Sequence, residues 1–144
     1  MATPNNPKIK KTAWIGIVYG QDLYQAVNYY CLKNKIKNGI VLAIGTLQKT
    51  IFSYYNQKER RYFKKLINKP VEIISCIGNI SLKDNLPFLH AHISVAGHDG
   101  KCFGGHLEKG CVVFACECLI IEFEKQPLAR KYDGLTGLNL WSLK

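Results

Sequence analysis

The apolar positions of this chain fall in many short runs separated by glycines and turn residues. Only one stretch sets them at helical spacing. Trp14 to Tyr19 reads as a first strand, broken by Gly20. Asp22 then offers an N-cap with Gln25 three residues on, and Leu23, Ala26, Val27, Tyr30 and Cys31 share one helical face. Lys33, Lys35 and Lys37 suit the negative end of that helix, and Asn38-Gly39 is expected to stop it. Strands follow at Ile40 to Leu47, Thr50 to Tyr55, Arg61 to Leu66 and Val71 to Ile80. The basic stretch 58–67 is compatible with a helix, but its Tyr and Phe content and the turn residues Asn56-Gln57-Lys58 favour a hairpin. Phe88 to Ala96 and Lys101 to Leu107 read as a second hairpin, and Glu108-Lys109-Gly110 as a turn. Cys111 to Phe123, the longest apolar run, is expected to be the central strand, apolar on both faces. The end of the chain carries Leu138, Leu140 and Trp141, which should pack back or onto a partner. One helix among many strands gives an α+β fold with a mainly antiparallel β-sheet. Residues 1–11, with Pro4, Pro7 and three lysines, read as a flexible basic tail, and 12–144 as a single domain.

Composition fits a globular chain: 47% hydrophobic and 21% charged over 144 residues. No run approaches the ~18 apolar residues of a membrane span. Ala13 to Tyr19 is short and lacks a cleavage site, so a signal peptide is not expected, and a cytoplasmic location follows by default. The six cysteines include no C-x-x-C pair and are read as reduced, packed thiols. A zinc role for Cys116-Glu117-Cys118 is the weaker alternative.

Charge changes the picture through its distribution. Residues 1–72 hold thirteen Lys/Arg against three Asp/Glu, and residues 73–144 hold seven against seven, so the whole net charge of +10 lies in the first half. Its densest cluster is Lys58, Arg60, Arg61, Lys64 and Lys65, interleaved with Tyr54, Tyr55, Tyr62 and Phe63. Such a stretch can bind a phosphate backbone and stack on bases, or can be a solvated basic hairpin.

All four histidines lie between positions 90 and 106. In strand geometry Phe88, His90, His92 and Ser94 share one face, with Leu89, Ala91, Ile93 and Val95 on the core face. The two histidine Cα atoms are then roughly 6.8 Å apart, which lets both rings converge on one ion. His106 joins them only if the hairpin register allows it. A two-residue turn at Asp99-Gly100 would put His106 on the core face. A three-residue loop, His98-Asp99-Gly100, pairs Gly97 with Lys101 and sets His106 opposite His92, with Gly100 at positive φ. A bulge at Gly104-Gly105 would serve equally. Three imidazoles suit a divalent metal, zinc foremost, and leave a coordination position open. Glu117, a carboxylate inside an apolar run, and then Glu72 are the catalytic candidates. Each could equally bond a backbone or histidine N–H. His98 is either a fourth ligand or a turn residue, and the turn is favoured.

The sequence resembles the plant-and-prokaryote conserved (PPC) domain family. The matching residues are Gly20-Gln21-Asp22-Leu23, Ile44-Gly45-Thr46-Leu47 and the run Val71 to Ser81. The fullest match is Pro87-Phe88-Leu89-His90-Ala91-His92 through Asp99-Gly100 to Phe103-Gly104-Gly105-His106-Leu107, with Gly110-Cys111 and Thr136-Gly137-Leu138 after it. The resemblance implies an antiparallel sheet flanked by helices, assembly as a homotrimer, and a metal association for His90, His92 and His106. It also implies a fold like that of acetolactate decarboxylase, which uses three zinc-bound histidines. Plant members carry an Arg-Gly-Arg-Pro AT-hook. No such element occurs here, so the chain looks like the free-standing prokaryotic form. Two functions follow as expectations. One is a trimeric metal-containing module that binds DNA or a protein partner. The other is a small zinc-dependent lyase or hydrolase working at the same histidines.

Overall fold

Ten elements order residues 8–142 of this computed structural model. They are β1 (Ile9–Ile17), α1 (Leu23–Lys33), β2 (Gly39–Asn56), β3 (Arg61–Ile67), β4 (Val71–Lys83), β5 (Leu86–Ala96), β6 (Cys102–Leu107), β7 (Val112–Phe123), β8 (Arg130–Asp133) and β9 (Leu138–Trp141). Seven strands form one antiparallel sheet in the order β1-β7-β2-β4-β5-β6, with β3 on β2, and the α+β expectation holds. One helix, α1, accompanies it among the described residues. β8 and β9 form a separate two-stranded ribbon.

The helix begins as its capping residue dictates: Asp22 Oδ1 accepts from the Gln25 amide at 2.7 Å. It ends earlier than Asn38-Gly39. Asn34 caps it, Lys35 takes a left-handed φ of 57°, and the Ile36 amide donates back to the Cys31 carbonyl at 2.9 Å. Burial of Ile36 accounts for this, because it turns the chain back to the core.

The two strands read at Ile40 to Leu47 and Thr50 to Tyr55 are one 18-residue strand, β2. Its first half pairs with β4 and β7, and its second with β3 and β6. The sheet therefore curls until β6, last in the strand order, meets β2 again. This corrects the place of β7. It lies next to the edge strand β1, and its residues alternate between buried and more open positions, so only one of its faces is core. β4 and β5 are joined by a tight turn with Asp84 and Asn85 at φ 52° and 62°, which lengthens both strands beyond the expected Ile80 and Phe88 limits. β1 likewise starts at Ile9, inside the stretch read as tail, and Lys10 there pairs with Glu122 at 2.7 Å. The rest of that tail reading, residues 1–7, lies outside the described residues.

The core lies on the α1 side of the sheet, where Leu23, Val27 and Cys31 join Leu89, Ile93, Val95 and Leu107. The opposite face is open. Trp14, Leu119, Leu42, Ile77 and His92 are register partners in a single row across β1, β7, β2, β4 and β5, and the row ends at His106. Trp14 is 74% exposed, Ile44 56%, Ile74 54% and Ile77 53%, so this is a broad apolar surface with nothing of the described chain over it. No helix of the described residues is long and apolar enough to cross a membrane.

Candidate metal centre

Burial of Leu89, Ala91 and Ile93 forces His90 and His92 outward from β5. The third histidine depends on the β5–β6 loop, and the loop is the three-residue form. The Gly97 amide donates to the Lys101 carbonyl at 3.2 Å, Gly100 has φ 72°, and His92 faces His106 in an unbroken register. His98 is an exposed turn residue, outside the histidine cluster. Next to His106, Gly105 packs so closely on β2 that a Cβ there would stand 2.5 Å from the Ser53 carbonyl oxygen. A side chain at 105 would push β6 off β2 and carry His106 with it.

The three rings converge. Their centroids are 5.4 Å (His90–His92), 5.1 Å (His90–His106) and 5.8 Å (His92–His106) apart, and one nitrogen from each lies within 4.8 Å of the others. Nitrogens bound to one tetrahedral zinc stand about 3.4 Å apart, a spacing close to the one these rings already hold. His106 Nδ1 is buried with no hydrogen-bond partner, a cost that a coordinated ion would remove. Burial, then Arg130, His106 and His92, push the His90 pKa down to about 4. Burial is also the main cause lowering that of His106, against the pull of Glu108. Both rings are therefore neutral near pH 7, the form that ligates metal. The donor set fits a divalent ion.

The sequence reading tied no other residue around the rings to them. Tyr62 of β3 lies 5.1 Å from the His106 ring, centroid to centroid. Glu108 accepts from Ser53 Oγ at 2.8 Å and pairs with Lys64 at 2.9 Å. Burial works to raise its pKa, but the Lys64 and Ser53 hydrogen bonds outweigh that and hold it low. Arg130, on β8, places Nη2 3.3 Å from His90 Nδ1, and a guanidinium can only donate there. No spacing in the sequence ties position 130 to position 90. A cavity of about 260 Å³ lies against His90, His106, Tyr62 and Arg130, and a second, of about 590 Å³, lies on the His90–His92 side under Trp141.

The two carboxylate candidates are elsewhere. Glu72 pairs in register with Ala96, about 13 Å along β5 from His92, and accepts from Thr46 Oγ1. Glu117 is an exposed residue opposite Ile44, three strand spacings or about 14 Å from β5. The reading of Glu117 as a buried carboxylate is thus corrected. Strand alternation turns it outward while Cys116 and Cys118 turn in, and the buried acid of β7 is Glu122. The same alternation breaks up Cys116-Glu117-Cys118 as a metal trio. Burial raises the thiol pKa of Cys118 to about 12 and of Cys116 to about 11, as packed cysteines require.

The basic cluster is also divided. Lys64 shares the face of Ser53 and His106, while Arg61, Phe63 and Lys65 pair with Asn56, Tyr54 and Phe52 on the other. Arg61 is tied to Glu59 at 2.6 Å, and Arg60 donates to the Gly134 carbonyl at 3.1 Å. Lys58 and Lys65 are exposed and form no ion pair among the described residues.

The family model described as Plants and Prokaryotes Conserved (PCC) domain matches residues 5–124. A metal-containing protein of Archaeoglobus fulgidus superposes with a TM-score of 0.91 at 34% identity, over 96% of this chain and 98% of that one. A plant- and prokaryote-conserved protein of Pyrococcus horikoshii gives 0.92 at 32%, over 97% and 96%. A protein of Bacteroides thetaiotaomicron, named for a suggested DNA-binding role, gives 0.86 at 27%, over 96% and 99%. Two curated relatives, the bifunctional GlmU proteins of two Synechococcus strains, are 28% and 27% identical over 120 residues. Those residues are 82% of this chain but only 18% of each relative's length.

Proposed function

This chain belongs to the Plants and Prokaryotes Conserved domain family, and from that we propose that it is a homotrimeric metal-binding module. His90, His92 and His106 would hold one divalent ion per subunit, zinc by donor type. The observation that carries this is the convergence of three ring nitrogens within 4.8 Å, one of them beside a buried Nδ1 without a partner. A related protein 34% identical is named as metal-containing, which supports it. When bound, such an ion supplies Lewis acidity to an oxygen ligand. The apolar row from Trp14 to Ile77 supports self-association through the open sheet face. For a lyase or hydrolase the carboxylates weighed as a base are not free at the site: Glu108 is engaged by Ser53 and Lys64, and Glu72 and Glu117 are out of reach within the described chain.

The test is elemental analysis of protein purified without a chelating tag. Near-stoichiometric metal is expected, with loss of it in the His90→Ala/His92→Ala double variant. Metal content indifferent to that pair of substitutions would overturn the assignment.

A second reading, contact with DNA, is favoured by the name of the Bacteroides relative and by the +10 net charge. With the basic residues split over two faces, binding would be weak, sequence-tolerant and driven by phosphate neutralisation. Duplex affinity should fall steeply with salt, and Lys65→Ala should lower the slope of log K against log salt by about one. An affinity that salt leaves unchanged, or no binding at low ionic strength, rules it out.

A further inference from the structure

Arg130 is a half-buried cation that pairs with no acid among the described residues. Its Nε donates to Ser81 Oγ at 2.8 Å, Nη1 to the Asn139 carbonyl at 3.0 Å, and Nη2 to Asn79 Oδ1 at 2.9 Å and towards His90 Nδ1 at 3.3 Å. Every one of these partners is neutral. The nearest carboxylate to the histidines, Glu108, is already held by Lys64. The cavity that Arg130 shares with His90 and His106 also receives Lys83. Phe88, Leu138 and Leu140 form its apolar wall, and Tyr62, Gly137 and Asn139 complete the lining.

Metal binding changes what Arg130 can do, and the reasoning rests on the three-histidine reading above. If His90 ligates through Nδ1, that lone pair is taken. If it ligates through Nε2, its proton sits on Nδ1. In both cases His90 stops accepting from Arg130, and the guanidinium is left with one unused N–H on each terminal nitrogen. Two N–H groups on one guanidinium match the two oxygens of a carboxylate. A divalent ion and a guanidinium side by side, with no anion of the described residues between them, favour a negative ligand for charge balance.

We propose that the 260 Å³ cavity between the histidines and β9 is a binding site for a small carboxylic acid with a short apolar tail. Its carboxylate bridges the metal and Arg130, and its hydrocarbon part lies along Phe88, Leu138 and Leu140. That apolar wall is the reason to prefer an organic acid to inorganic phosphate.

The test uses the full chain loaded with cobalt(II), whose visible absorption reports both occupancy and ligand exchange. Butyrate is titrated in, with inorganic phosphate as the comparison. The expected result is a saturable spectral change with butyrate and a weaker one with phosphate. Arg130→Gln, compared with wild type at equal cobalt occupancy, should need at least about tenfold more butyrate, as loss of a charge-assisted pair implies. Leu140→Asp leaves Arg130 in place and puts a negative charge at the exposed rim of the cavity. It should abolish the butyrate response, and it decides the matter should Arg130→Gln fail to fold. A wild-type chain that takes up no cobalt would overturn the three-histidine reading and this one with it. A cobalt spectrum that butyrate does not move, or moves equally in wild type and both variants, or that phosphate moves more, would overturn the carboxylate site alone.

Discussion

At the scale of single residues, the site is a set of groups kept away from their usual charge balance. His90 is held neutral because its surroundings are buried and already cationic, and its pKa falls from an ordinary 6.5 to about 4. The unfolded imidazole takes up a proton between those values and the folded one does not, so the metal-free protein should lose stability as pH falls through that window. Thermal midpoints at about pH 7 and about pH 4.5 check this. His90→Asn should shrink the difference, whereas an equal drop in wild type and variant would count against it. Lys35 shows the opposite kind of exception. It occupies the left-handed position where a glycine ordinarily ends a helix, tolerated because Ile36 beyond it is buried.

Among the elements, one carboxylate links two of them. Asp22 caps α1 through Oδ1 and accepts from the Gly110 amide, in the turn before β7, through Oδ2 at 2.5 Å. Asp22→Ala removes both bonds and should cost about 2–4 kcal/mol, more than a cap alone. Asp22→Asn, which keeps an acceptor for the cap, should recover part of this, and urea unfolding of the three proteins measures it. The cap and its partner Gln25 were legible because a capping box is local in sequence. The Gly97-to-Lys101 loop was legible only as one of the alternatives the metal reading needed, because a bulge at Gly104-Gly105 would have turned His106 to the same face. Gly110, 88 residues from Asp22, was not, and neither was Arg130, 40 residues from His90. Apolar content misplaced β7 for a related reason. The run Cys111 to Phe123 is apolar on its outer face as well, and that surface is open in the single chain instead of lying between two layers. The Asp84-Asn85 turn passed unread because both left-handed positions are held without glycine.

For the whole molecule, the open apolar face is the feature that bears on self-association. Trp14, Ile44, Ile74 and Ile77 together expose far more apolar surface than scattered single residues would. Sedimentation equilibrium at micromolar concentration should give three times the 16.3 kDa chain mass, and a Trp14→Asp/Ile77→Asp variant should shift towards one. A wild-type mass of one chain would refute the trimer. His92 sits in the same row as those residues, so the histidine cluster opens at the margin of this apolar face. The ribbon of β8 and β9, by contrast, lies past residue 124, where the family match stops. It is fastened to the rest by Arg130, by Arg60 donating to the Gly134 carbonyl, by the Tyr55 hydroxyl donating to the Thr136 carbonyl at 2.7 Å, and by the Leu82 amide donating to the Leu128 carbonyl at 2.9 Å. A clasp with so few fastenings opens more easily than the sheet it closes on. Its amide hydrogens become a gauge: deuterium uptake by Arg130–Asp133 and Leu138–Trp141 should slow whenever something at the histidines engages Arg130, while the amides of β4 and β5 keep their own pace.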